Sequence, residues 1–159
     1  MWSIIALFAY SAFSCDEFCE EPNRTAIVVN FYSLETEEPA SVAVKVTGID
    51  GVVADSVLYE YAGHATVLLP INPGADEMQF IFALAEMPAD TVIFRYSRHV
   101  GLVSKECGCA SYAQLHEPEL KKNEEIENSI TKIEVTNPNV GTVSYRQGIL
   151  NEENIRIFY

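Results

Sequence analysis

Four cysteines and three histidines are the residues with which this chain could do chemistry, and their spacing sets what that chemistry is. Cys15 ends an uncharged run, Cys19 follows four residues later, and Cys107 and Cys109 flank a single glycine. Thiols bind zinc, pair as disulfides or carry other groups, according to compartment and neighbours. A zinc site made from Cys19, Cys107, Cys109 and either His99 or His116 matches no compact ligand spacing, so no metal and no cofactor are expected. The stretch HEPEL at 116–120 opens like a zinc-protease helix, but Leu120 stands where the second histidine belongs and Pro118 interrupts the helix. His99, with Ser97 and Ser104 close by in sequence, is the best centre for a hydrolase. No nucleophile elbow or phosphate loop accompanies it, so no catalytic residue is assigned. Tyr59 and Tyr61 alternate with Leu58 and Glu60, which predicts that the two rings share a face. Exposed aromatic rows of this kind bind glycans or peptides.

The first fourteen residues, MWSIIALFAYSAFS, are uncharged and mostly apolar. They are too short for a membrane span, which needs about 20 apolar residues, and suit the core of an export signal. Ala12-Phe13-Ser14-Cys15 resembles the lipobox of bacterial lipoproteins, whose cysteine takes a diacylglyceryl group and becomes the first residue after cleavage. Phe13 is bulkier than that pattern prefers, and no Lys or Arg precedes the apolar run. Residues 1–14 are therefore read as a signal peptide, Cys15 as the lipidation site and 15–24 as an acidic tether reaching about 30 Å. Each buried CH₂ of the acyl chains contributes about 0.8 kcal/mol, and two or three chains make a stable anchor.

An exported chain meets an oxidising compartment, where Cys19 can pair with Cys107 or with Cys109; a bridge between the latter two would close a strained ring. Either Cys19 bridge closes a loop of close to ninety residues, worth about 4–5 kcal/mol in the chain-entropy model. It also shortens the free tether to roughly 13 Å.

Behind these residues stands a pattern of period two. In TAIVVNFY, Ile27, Val29 and Phe31 share one face; in SVAVKV, Val42, Val44 and Val46 point inward and Lys45 outward. SVLYEY, ATVLLP, MQFIFALA, TVIFRYS, HVGLVS, ITKIEVT and ENIRIFY continue it, separated by turns such as GIDG, INPGADE and MPAD. The expected fold is all-β, an antiparallel sandwich or alternatively a small barrel, of about 7–9 short strands in one domain over 25–159. The polar stretch 110–128 reads as a loop with a short helix after Pro118. The runs are mostly shorter than the 9–11 residues of a transmembrane strand, so Tyr159 is read as the end of a core strand.

Ten basic and twenty-three acidic residues give a net charge of −13, none of it in residues 1–14. Nucleic acid is excluded as a partner, because binding it requires Lys and Arg on phosphates. An anionic membrane repels such a domain, so attachment must be covalent or run through a protein.

Cys15 and Cys19 at the mature start, a strand like VVNFYS, then SKECG and finally NEENIRIFY resemble a Bacteroidota family of small uncharacterised lipoproteins. The resemblance covers nearly all of the mature chain, and NEENIRIFY is its most specific element. It implies an envelope lipoprotein with a β domain and Cys19 paired with Cys107, working alongside outer-membrane barrel proteins. Cys109 departs from the family pattern. The acids of DEFCEE resemble the surface-export signal of the same group. The expected role is a non-enzymatic accessory or scaffold of an outer-membrane complex, on its periplasmic face or at the cell surface. The rivals are a surface glycan- or peptide-binding module and, third, an envelope hydrolase.

Overall fold

The computed structural model describes residues 24–49, 54–104, 108–122, 126–143 and 152–159, and every regular element in them is a strand. In chain order these are β1 (Arg24–Tyr32), β2 (Val42–Gly48), β3 (Val57–His64), β4 (Thr66–Pro70), β5 (Glu77–Leu84) and β6 (Ala89–Ser104). They are followed by β7 (Gly108–Leu115), β8 (Glu119–Leu120), β9 (Lys132–Val135), β10 (Asn139–Val140), β11 (Thr142–Val143) and β12 (Ile155–Phe158).

Two sheets face each other as a sandwich that does not close into a barrel. The larger runs β10-β7-β6-β5-β2-β3, antiparallel throughout, with β8 beside β6. The smaller is built on β1, which pairs antiparallel with β4 and β11 and parallel with β12; β9 lies antiparallel against β12. One residue separates β10 from β11, so the chain passes from the larger sheet to the smaller between Val140 and Thr142.

The period-two reading of β1 and β2 holds. Ile27, Val29, Phe31, Val44 and Val46 are fully buried, Val42 nearly so, and Lys45 takes the other face. Phe31 meets Phe82 edge to face at 6.4 Å, and Phe80 meets Phe94 at 5.9 Å, so aromatic contacts knit β1 to β5 and β5 to β6. Each such ring buried contributes on the order of 2–3 kcal/mol.

Three features depart from the expectation. TVIFRYS and HVGLVS are one strand, β6, because the residues between them stay paired with β7 through Ser97↔Gln114, Arg98↔Ala113 and His99↔Tyr112. The stretch 110–128 contains no helix among its described residues. Its first part belongs to β7, where Ala113 and Leu115 are buried, and Glu119–Leu120 pairs with Val92 and Ile93. Small residues such as Ala113 fill a close-packed core without raising the local hydropathy much, which hides the strand. The third departure is the parallel pairing of β1 and β12, the first and last strands described.

The two ends of the sandwich differ. At one, β5 begins at Glu77 opposite Arg95, while β6 runs on to Ser104 with β7 beside it, which among the described residues gives a two-stranded ribbon beyond the body of the sheet. At the other lie the β1–β2 connection, with Glu35, Glu37 and Glu38, and the β5–β6 turn, with Glu86 and Met87. Residues 128–131 cross that second end. Buried Asp90 accepts from Asn128 Nδ2 and Ile130 N, Ser129 Oγ donates to Pro88 O, and Thr131 N donates to Phe158 O.

Candidate functional site

Residues 153–156, within the C-terminal NEENIRIFY, build a connected polar cluster. Asn154 is 2% exposed and acts as a clamp between three segments. Its Oδ1 accepts from Val28 N at 2.9 Å, while Nδ2 donates to Asn137 O at 2.9 Å and Asn139 O at 3.0 Å. Its backbone N donates to Val28 O and its O accepts from Thr136 N. One side chain therefore fixes β1, the β9–β10 connection and the entry to β12.

Glu153 does the same on the outer face of the smaller sheet. Oε2 accepts from Asn30 Nδ2 and Tyr32 OH, both at 2.7 Å, and Oε1 accepts from Arg156 Nε at 2.5 Å. Thr66 Oγ1 extends the chain to Asn30 Oδ1 at 2.6 Å, and the Arg156 guanidinium lies 5.0 Å over the Tyr32 ring. Burial raises the pKa of Glu153, but the hydrogen bonds from Tyr32, Arg156 and Asn30 outweigh it and hold the carboxyl below the usual range. Burial and the Glu153 carboxylate raise that of Tyr32. A carboxylate with three donors and a depressed pKa is a poor proton acceptor at neutral pH. The cluster is chemically a lock.

Tyr59 and Tyr61 do not share a face. Val44 pairs with Ala62, Val46 with Tyr59 and Thr47 with Val57, so β3 uses extra residues twice against β2. Each shift of this kind breaks the alternation that sequence spacing assumes. Tyr59 packs against the core, and its hydroxyl both accepts from Leu68 N (2.8 Å) and lies within bonding distance of Leu68 O (3.4 Å). A single phenol thus occupies Leu68 N and O on the edge of β4 that has no strand beside it among the described residues, the kind of edge that otherwise invites pairing with another chain. Tyr61 has φ 39° and is 52% exposed, with Lys45 Nζ 6.0 Å from its ring.

The histidines also separate. His64 packs edge-on to Tyr59 at 4.9 Å. His99 is exposed on the ribbon opposite Tyr112, and the serine that sequence proximity gave it, Ser97, instead lies 2.8 Å from His116 Nε2. Among the described residues no carboxylate hydrogen-bonds the other ring nitrogen of His116, the group that orients the base in a nucleophilic triad. Nor does any group of three or more His, Cys, Asp or Glu among them stand ready to hold a metal. Cys15, Cys19 and Cys107 lie outside the described residues, and Cys109 is placed by its backbone alone, opposite Leu102 in β7. Arg24, where the tether would join, pairs with Val143, and β11 lies against β7 at the base of the ribbon.

Residues 43–159 match the model of a family of unknown function, DUF6452. The chain belongs to that family. The DUF6452 match starts inside β2 and runs through Tyr159, so it takes in the Glu153 and Asn154 clamps and both tyrosines of β3. It leaves outside the strand β1 that those clamps hold. No curated protein and no solved structure matches the chain.

Proposed function

We propose that this DUF6452 chain is a lipid-anchored cell-envelope β-sandwich, acylated at Cys15, that serves as a non-enzymatic accessory or scaffold of an outer-membrane protein complex. The observation that carries the reading is Ala12-Phe13-Ser14-Cys15 at the end of an apolar, uncharged run, nine residues before β1 begins. Resemblance to Bacteroidota lipoproteins supports the compartment and a barrel-protein partner. Supporting a structural rather than catalytic role, the carboxylate most fully enclosed by donors, Glu153, is held by three of them, and the Ser97–His116 pair sits on an exposed sheet face. The start of β1 and Cys109 stand at the same end of the sandwich, which favours a bridge from Cys19 to the β6–β7 hairpin, with Cys107 as the first choice and Cys109 the second.

The test is the intact mass of the protein taken from membranes without reducing agent, with peptide mapping of its cysteines. Acylated Cys15 at the N-terminus and Cys19 bridged within the chain are expected; an unlipidated soluble product overturns the reading. In-cell crosslinking should then capture a specific membrane protein in preference to abundant bystanders. A second reading, a surface glycan- or peptide-binding module, is favoured by Tyr61 with Lys45 beside it. A glycan array without signal counts against it.

A further inference from the structure

We propose that the outer face of the larger sheet, over β3, β2, β5 and β6, is where a second copy of this chain docks. The outward face of an antiparallel sheet is normally polar, whereas a strand covered on both sides reads as a near-continuous apolar run. EMQFIFAL in β5 is of the second kind. Met78, Phe80, Phe82 and Leu84 fill the core, and Ile81 and Ala83 point outward. Beside them Thr47 pairs with both Val57 and Ile81, and Ile81 pairs with Thr91. One row across the four strands therefore carries no charge, and Val57 at its edge is 48% exposed.

The neighbouring row says what covers it. Lys45 pairs with Ala83, and Ala83 with Ala89. On the other side of Lys45, the bulge between Tyr59 and Ala62 sets Glu60 and Tyr61 against a single residue, both of them exposed. The Tyr61 ring stands 6.0 Å from Lys45 Nζ, so the bulge that holds Tyr61 at φ 39° also puts its ring on this face. The row is tall over β3 and β2 and low over β5 and β6. A two-fold axis parallel to the strands, between β2 and β5, lays tall half on low half twice. Tyr61 of one copy then lies over Ala89 of the other, and Lys45 over Ala83. The same operation sets Thr47 over Ile81 and Val57 over Thr91. Lys45 and Glu60 are the charges on these two rows, one of each sign, so the contact brings no net charge to the meeting of two −13 chains.

Four strands about 4.8 Å apart and five residues at about 3.3 Å each make a face of roughly 300 Å² per copy, against about 800 Å² per partner in a stable interface. The pair is therefore weak in dilute solution and forms where copies are crowded, which rests on the anchored reading of Cys15. Rotation about an axis along the strands keeps strand direction. The Arg24 ends of both copies then point the same way, and two tethers can enter one bilayer.

The lipidated full chain with p-benzoylphenylalanine in place of Thr47 is bound to phosphatidylcholine vesicles at increasing protein density and irradiated. Adducts of doubled mass should form, with the crosslink in residues 77–84 of the second copy. Tyr61→Ala, which empties the tall half, and Ala89→Tyr, which fills the low half, should each lower the yield roughly fivefold. The double variant restores a ring over an alanine in the reverse sense and should recover roughly half of the parent yield. Both positions are exposed, so neither change disturbs the core. Vesicle-bound protein that gives no doubled mass at any density, adducts that map elsewhere, or a double variant no better than the singles overturns the pairing and leaves the anchor intact. Protein that does not float with the vesicles overturns the anchored reading, and the same adducts in concentrated solution then decide the pairing.

Discussion

The C-terminal strand and the strand β3 make opposite use of polar side chains. Around β12, Asn154 and Glu153 between them engage Val28, Asn30, Tyr32, Asn137, Asn139 and Arg156, and every side-chain nitrogen and oxygen of the pair has a partner. Along β3, two shifts in register turn one tyrosine inward and leave another at 52% exposure with a strained backbone. A distinctive sequence segment, then, marks the place where this fold is locked together. Surface recognition has more room on β3, whose outer ring has a cation beside it and few other commitments.

That contrast is open to breaking by substitution. The largest effect is expected for Asn154→Ala, which strands Val28 N in the interior and leaves the part-buried Asn137 O and Asn139 O without their donor. At about 1–3 kcal/mol for each unmet buried group, partly relieved by water, a loss of about 3–5 kcal/mol should appear in urea denaturation. Asn154→Asp, which keeps the acceptor for Val28 N but sets a buried carboxylate against Asn137 O and Asn139 O, should cost at least as much at neutral pH and less in acid, where the protonated acid can donate once.

Tyr59→Phe keeps the ring and removes the hydroxyl that serves Leu68, so about 1–2 kcal/mol should be lost. It should also uncover the edge of β4, read as increased self-association in light scattering. An unchanged midpoint would remove Tyr59 from the structural side of the comparison.

Glu153 sharpens the contrast through pH. Its folded pKa lies below its unfolded value of about 4.3. The stability it adds is therefore complete above that value and disappears as pH falls through the lower folded pKa. Glu153→Gln should flatten this acid limb of the stability curve while costing on the order of 1 kcal/mol at neutral pH. An identical acid limb in the variant would assign the effect to other carboxylates.

Tyr61→Ala should have the smallest effect on folding, within about 0.5 kcal/mol. If Tyr61 contributes to recognition, the same variant should weaken crosslinking or glycan binding at unchanged stability; loss of stability instead would place it with Tyr59.

Much of the architecture is legible in the amino-acid pattern because an apolar face must be buried and a strand has a period of two. Ile27, Val29, Phe31 and the valines of β2 announce both their strands and their inward face. The same rule fails at Tyr61, since a bulge changes the face without changing the spacing. Asn154 and Asp90 escape it as well: hydropathy cannot register a buried polar residue whose partners come from distant segments, at separations of 126 residues for Asn154 with Val28 and 40 for Asp90 with Ile130. The Ser97–His116 contact depends on the turn out of β7 and is invisible to proximity along the chain.

The parallel pairing of β1 with β12 carries a consequence in time. Strand order along the chain is also order of synthesis, and the neighbour that β1 needs from Val29 to Tyr32 is supplied by residues 155–158. Long-range closure of this kind delays folding, because the loop entropy of the whole intervening chain must be overcome first. A chain cut short at residue 151, without β12, should accordingly remain open to protease, whereas one that includes residues 152–159 should resist it. A nascent chain cannot close its smaller sheet on this edge of β1 until residues 155–158 have been made, so that sheet stays open for most of synthesis.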